Sequence, residues 1–272
     1  MAQFENWYAI GYGSLSTFRA QMLTIPGIQY QLGRRVVQPQ SRLPLGDQVW
    51  FLFHSQYKPE TLIAGSLFNV ALGGALIAEL WFAGHVEITP DGALAPCRTS
   101  PLADQPDSSA GRPPQVSPTA FEQHAWQELN RRPALYPVRD WINFWATHGP
   151  DQVRTRMEQR GLLERVRRNT YMPTDPHVAA GPTVTQRYLV ENGYHQFRPG
   201  DDVRQYYETA VNAGFMLVTN LDLEISRDST VPVDEFRARL QFMVTNLQPE
   251  MQFLLGEVGR TLSVQGRRPS RR

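Results

Sequence analysis

Several things are scarce in this chain, and each scarcity removes a class of explanation. There is one cysteine, Cys97, in 272 residues, so no internal disulfide framework can staple the fold, and such usage fits a reducing compartment. Lysine is nearly absent: Lys58 stands alone among 27 basic residues. That bias follows most simply from coding-sequence base composition; a preference for arginine's planar fork toward phosphates is the alternative. The N-terminus has no basic segment leading into an apolar one, and no unbroken apolar run reaches the ~18 to 20 residues of a spanning helix. The reading is therefore a protein neither exported by a standard signal nor membrane-spanning. The histidines, His54, His85, His124, His148, His177 and His195, show no HExxH, paired-carboxylate or Cys/His zinc spacing, so neither metal nor cofactor is expected. Gly11 and Gly13 lack the third glycine and the following Lys-Ser/Thr of a phosphate loop. No repeat of fixed period appears.

What is present is enough apolar material for a real core, 41% of residues, with a net charge of only +1. The organising stretch is Leu67 to Ile88. Leu72, Ala75, Leu76, Ala78, Leu80 and Phe82 spread apolar surface around most of a helical cylinder, which predicts a buried helix. The Gly73-Gly74 pair costs about 1 kcal/mol per residue in helix propensity, so its expected return is close approach of a neighbouring helix. Glu79 is the one polar interruption. Gly84 ends the helix, and His85 to Ile88 alternates as a short strand before the Pro90-Asp91-Gly92 turn.

Around this unit the chain reads as mainly α, a compact helical bundle about a buried central helix with a small β-hairpin. Residues 1–42 are an N-terminal extension. Val49 to His54 form a short apolar helix with Asp47 as N-cap, a strand being the alternative. Residues 89–118 hold seven prolines and read as a mobile surface loop. Thr119 to Asn130 is helical, with Phe121, Ala125, Trp126 and Leu129 inward. Val138 to Ala146 is a second helix, broken at Gly149-Pro150, and Asp151 caps a third through Arg160. Leu162 to Met172 suggests a hairpin with its tip at residues 167–169. Residues 176–182 are a loop. Val184 to Glu191, Asp201 to Gly214 and Val233 to Gly256 are helical, the last interrupted by Pro249; Phe215 to Leu223 is strand or more helix. Residues 265–272 form a basic tail.

Three blocks in this order resemble the Golgi phosphoprotein 3 family, in particular its bacterial, actinobacterial-type members. They are Leu43 to His54, Ala71 to Val86, and Val138 to Ile142 leading to Arg154 through Leu163, so the likeness covers roughly residues 43 to 180. It implies a mostly helical fold and no catalysis. It also implies a peripheral membrane protein of the phosphatidylinositol 4-phosphate-binding type, a role that helps retain glycosyltransferases in eukaryotic members, with the hairpin serving membrane contact and self-association. The family's own site residues carry over poorly. Its core-helix arginine falls at Gly73, its tryptophan near Ala64, and its later basic pair near Thr147 and Pro150.

The residues that could meet a phosphate are therefore sought elsewhere. Arg154, Arg156, Arg160, Arg165, Arg167 and Arg168 crowd one short stretch, opposed by Glu158 and Glu164. Near a charged surface each arginine attracts anionic headgroups by about 1 kcal/mol. The competing reading is a solvated helix face with Glu158 pairing Arg154 and Glu164 pairing Arg160 and Arg168. Trp81 and His85 could flank a headgroup, or could simply seal the core. The candidate headgroup contacts are thus Trp81, His85, Arg154, Arg156, Arg165, Arg167 and Arg168. The expected partners are an anionic phospholipid surface on the cytoplasmic face of a membrane and, alongside it, a membrane-associated protein or a second copy of the chain. Nucleic acid is not expected, since aromatic residues that would stack bases are missing from the run. An adaptor without lipid binding, or a hydrolase or transferase whose residues meet only in space, remains as the alternative.

Overall fold

The computed structural model describes residues 31–32, 35–36, 43–97, 120–131, 136–168, 170–193 and 203–266. Most of the N-terminal extension, the stretch 98–119 and the tail from 267 lie outside these. Two short strands, β1 (Gln31–Leu32) and β2 (Arg35–Val36), pair antiparallel. From Leu43 onward the fold is mainly helical.

Helix α1 (Leu45–Phe53) starts behind Pro44, and Val49, Leu52 and Phe53 are wholly buried. Pro44, not Asp47, holds the N-cap position. Asp47 sits inside the first turn with no exposed surface, its oxygens committed to arginines. Helix α2 (Gly65–Phe82) is buried along its length from Val70. By length and composition it could cross a membrane, yet 78% of it is buried inside the protein. Its end is a Schellman motif: the amide of Gly84, at φ +74°, reaches the Trp81 carbonyl, and the amide of His85 reaches that of Leu80.

The glycine pair does what its cost implied. A Cβ on Gly73 would stand 2.6 Å from the Ile142 carbonyl oxygen and 2.9 Å from the Ala146 nitrogen. Both are backbone atoms of a second long helix, so α2 and that helix touch main chain to main chain. On Gly74 a Cβ would meet Val258 at 2.5 Å and Phe215 at 3.0 Å. The two glycines thus admit neighbours on both sides of α2.

After α2 come β3 (Val86–Ile88) and β4 (Ala93–Pro96), then α3 (Ala120–Arg131) and β5 (Tyr136–Pro137), with the strands in an antiparallel sheet ordered β3-β4-β5. The start of the supposed loop at 89–118 is therefore sheet. On α3, Phe121, Ala125 and Leu129 are buried while Trp126 is half-buried.

Helix α4 (Val138–Gln159) runs unbroken through Gly149-Pro150. Pro150 removes one helical hydrogen bond, but Trp141, Ile142, Trp145, Val153 and Met157 stay buried on both sides of it. Gly149 faces α2, where a Cβ would strike Leu76 at 2.5 Å. Packing against α2 thus overrides a local stop signal. Strands β6 (Leu163–Arg167) and β7 (Thr170–Pro173) form the hairpin. Residues 176–182 are helix instead of loop: α5 (Pro176–Glu191) begins at the N-cap of Asp175, which accepts from the His177 amide, and continues past Pro182. Helices α6 (Val203–Thr219), α7 (Asp222–Ile225), α8 (Val233–Thr245) and α9 (Pro249–Gly266) follow. Pro249 opens a new helix, where its missing N–H is harmless.

Candidate anion-binding hairpin and the charge network beneath it

The N-terminal half of α1, the polar point of α2 and the last turns of α4 meet at four charged side chains. Arg156 Nε and Nη2 donate to Asp47 Oδ1 at 2.9 and 2.6 Å. Its Nη1 and Nη2 donate to Glu79 Oε1 and Oε2 at 2.5 and 3.2 Å. Arg160 Nη1 donates to Asp47 Oδ2 at 2.8 Å. Glu79 Oε2 also accepts from the Gly46 amide at 2.9 Å. Gly46 leaves room for all this, because a Cβ there would crowd Leu76, Arg156 and Glu79. Among the described residues two carboxylates meet two guanidiniums here, and the Arg156 side chain retains 11% exposure.

Burial pushes the Asp47 carboxyl up to about 6, against the pull of Arg156. Burial also works against the charge on Arg156, but Glu79 and Asp47 outweigh it and hold the pKa above the ordinary arginine value. A buried pair of this kind costs little net while complete and much when one partner is deleted. Its function is to lock α1, α2 and α4 together.

Directly after Arg160 the chain leaves the core. Gly161, at φ +67°, turns it, Leu163 is buried as an anchor, and Glu164 to Arg168 are all exposed. A bulge between Arg165 and Arg167 releases Val166 from the ladder, and Val166 is 47% exposed. Such a bulge sharpens the twist and re-aims side chains. The hairpin is tied down at its base. The Thr174 hydroxyl donates to the Gly161 carbonyl at 2.6 Å, and the Tyr171 ring lies under the Arg154 guanidinium, 5.0 Å away. Among the described residues, no carboxylate stands within ion-pair distance of Arg165, Arg167 or Arg168.

The seven candidate contacts therefore divide. Arg165, Arg167 and Arg168 share the exposed hairpin, with Arg154 at its root, where it pairs with Asp151 at 2.8 Å in place of the expected Glu158. Arg156 is corrected to an interior role, because Asp47 and Glu79 consume its donors. Trp81 has no exposed surface and lies edge-on to Phe82. His85 is 5% exposed, with Nε2 3.8 Å from Glu122 of α3. Both face the core: Trp81 belongs to the buried body of α2, and the Schellman turn folds His85 back under that helix.

Sequence reading missed Asp47 and Glu79 as ion partners. A single acid on an otherwise apolar helix was the available signal, since a buried charge demands a counter-charge.

The positions aligned with the family's basic site behave as packing and surface residues. Gly73 abuts α4, and Ala64 caps α2 from an exposed position. Thr147 is exposed and donates to the Asn143 carbonyl, and Pro150 is half-buried in α4.

Fold and geometry together define a helical protein whose charge network closes the interior and leaves a basic hairpin outside. The family model described as Golgi phosphoprotein 3 (GPP34) matches residues 45–192, more than half of the chain. The chain belongs to the Golgi phosphoprotein 3 family. No curated protein matches it.

Proposed function

We propose that the protein is a non-catalytic peripheral membrane protein that docks on anionic phospholipid headgroups through the β6–β7 hairpin, from the cytoplasmic face. The observation that carries this reading is the set of three exposed arginines, Arg165, Arg167 and Arg168, around the exposed Val166, with no carboxylate within ion-pair distance among the described residues. Family membership supports a binding role over catalysis. The chemistry recognised is anionic charge and not one inositol phosphate, because Gly73, Thr147 and Pro150 stand where the family's basic side chains fall. Gly73 in particular cannot be replaced by arginine without parting α2 from α4.

Co-sedimentation with vesicles of phosphatidylcholine and phosphatidylserine tests it. Binding should grow with the phosphatidylserine fraction and weaken as salt shortens the screening length. Changing Arg165, Arg167 and Arg168 to Ala should lower affinity by roughly 100-fold, at about 1 kcal/mol per arginine. Equal binding by the triple variant would end the hairpin reading. One feature favours a protein partner alongside the membrane: Val184 and Tyr188, a turn apart on α5, are 53% and 54% exposed.

A further inference from the structure

A pocket of about 190 Å³ opens where the start of α1 meets α5 and α6. Its polar wall consists of Gln48, Thr185, Gln186, Thr209 and Asn212, and its apolar wall includes Leu43, Val178 and Pro182. No lining side chain is ionisable. That sets it apart from every charged surface described above.

The orientation of the amides is fixed from behind. The Gln48 Nε2 group donates to the Leu43 carbonyl at 2.8 Å and to Glu208 Oε2 at 3.0 Å. Both partners accept, so Gln48 must turn its oxygen the other way. That oxygen receives Asn212 Nδ2 at 2.9 Å, which leaves Asn212 Oδ1 as the acceptor end of the relay. Asn212 is 4% exposed and its Oδ1 has no partner; native buried polar atoms seldom stay so. Pro182 has no N–H to give the Val178 carbonyl its usual helical donor, and both residues line the pocket. Gln186, 1% exposed, places its amide nitrogen only in a long 3.9 Å contact with Met243 sulfur, a weak use of a buried donor.

We propose that this pocket binds a small neutral polyhydroxylated molecule, whose hydroxyls meet the Asn212 oxygen, the Val178 carbonyl and the Gln186 amide while its C–H face lies on Leu43, Val178 and Pro182. Hydroxyls suit the wall because they donate and accept, as the lining amides and threonines do. An anion is disfavoured by the Glu208 carboxylate behind Gln48. A cation finds that carboxylate already engaged by an amide. The volume is below the ~300 Å³ of drug-sized sites and holds only a few water equivalents, at roughly 30 Å³ each. Asn212 Oδ1 is shielded from solvent, so meeting a hydroxyl requires its carboxamide to turn outward slightly. The site is independent of the hairpin.

The test is titration of the full chain with glycerol and D-glucose, followed by the side-chain amide resonances of Asn212 and Gln186, with sodium phosphate as the charged control. Saturable shifts with a neutral probe, at a dissociation constant on the order of 1 mM for so few heavy atoms, and none with phosphate, are expected. Two variants should weaken binding by at least ~10-fold. Gly181→Leu fills open space, since a Cβ at Gly181 meets nothing within 4 Å, and improves helix propensity. Gln186→Met matches the shape beside Met243 while removing the amide. Absence of saturable shifts with both neutral probes, equal shifts with phosphate, or undiminished binding in both variants overturns the proposal.

Discussion

Arg156 and Arg160 lie a few positions before Arg165, Arg167 and Arg168, in residues 156–168, yet the two groups live in different media. The first pair is enclosed by Asp47 and Glu79, carboxylates delivered from α1 and α2 by the fold. The second group stands in water on a hairpin where, among the described residues, no carboxylate comes within ion-pair distance of it. Residue type is the same throughout. What separates an arginine that locks the core from one that can greet an anion is whether tertiary contacts bring it an acid. The step between the two media is taken within one turn, at Gly161.

The comparison breaks most visibly at Arg156. Arg156→Ala leaves Asp47 and Glu79 facing each other, buried, without their shared cation, and should cost about 3–5 kcal/mol in unfolding free energy. Chemical denaturation measures it; a loss under ~1 kcal/mol would mean that the network is surface-like after all. Gly73→Ala comes next. A methyl there has nowhere to go, because Ile142 and Ala146 offer backbone atoms that cannot rotate away. The expected loss is about 1–3 kcal/mol, although alanine is the better helix former. A neutral or stabilising effect would show that α2 and α4 are not in main-chain contact.

A smaller effect tests how enclosure governs titration at the other end of α1. The His54 ring stacks on Trp50 at 4.6 Å, meets Phe68 edge-on, and its Nδ1–H donates to the Trp50 carbonyl. Burial lowers its pKa to about 4. The unfolded chain then binds the proton more readily between about pH 4 and 6.5, so this contribution to stability is complete above about 6.5 and is lost as pH falls toward 4. Allowing for partial exposure of the ring, the loss is roughly 2 kcal/mol. Asp47 has the opposite sign: its raised carboxyl favours the folded state at low pH, and that advantage fades as pH rises from about 4 through 6. Comparing unfolding of wild type with His54→Phe, which keeps the stack and removes the titration, isolates the histidine. Identical pH profiles would refute its enclosure.

Much of the interior was legible because apolar periodicity and glycine carry direct steric meaning. The buried α2, its Gly84 stop, the need for a close neighbour at Gly73-Gly74 and the hairpin all follow from local pattern. Prolines misled. Pro150 and Pro182 read as breaks but lie within helices, because a helix with a long packed face tolerates one missing bond, and that face is assembled only in three dimensions. The candidate site was half legible for the same reason. Charge density marks the arginine stretch, but only the meeting of α1, α2 and α4 decides which arginines are spent. Trp81 and His85 fell on the inner side of a turn whose direction their own sequence does not state.

The smallest effect completes the contrast. Among the described residues, Arg165, Arg167 and Arg168 touch no carboxylate, and exposed substitutions away from packed features change stability by no more than about 0.5 kcal/mol. Their joint replacement by Ala should therefore leave the denaturation midpoint and its slope nearly unchanged, with any shift toward greater stability because three like charges at one tip repel. Leu163, the Tyr171 ring under Arg154 and the Thr174 hydrogen bond hold the hairpin without them. Measured beside vesicle binding, this variant separates structure from recognition. If affinity for anionic vesicles falls while stability holds, the hairpin arginines act on something outside the protein. If stability falls by as much as it does for Arg156→Ala, the exposed group is part of the internal lock, and the division between the two sets of arginines is wrong.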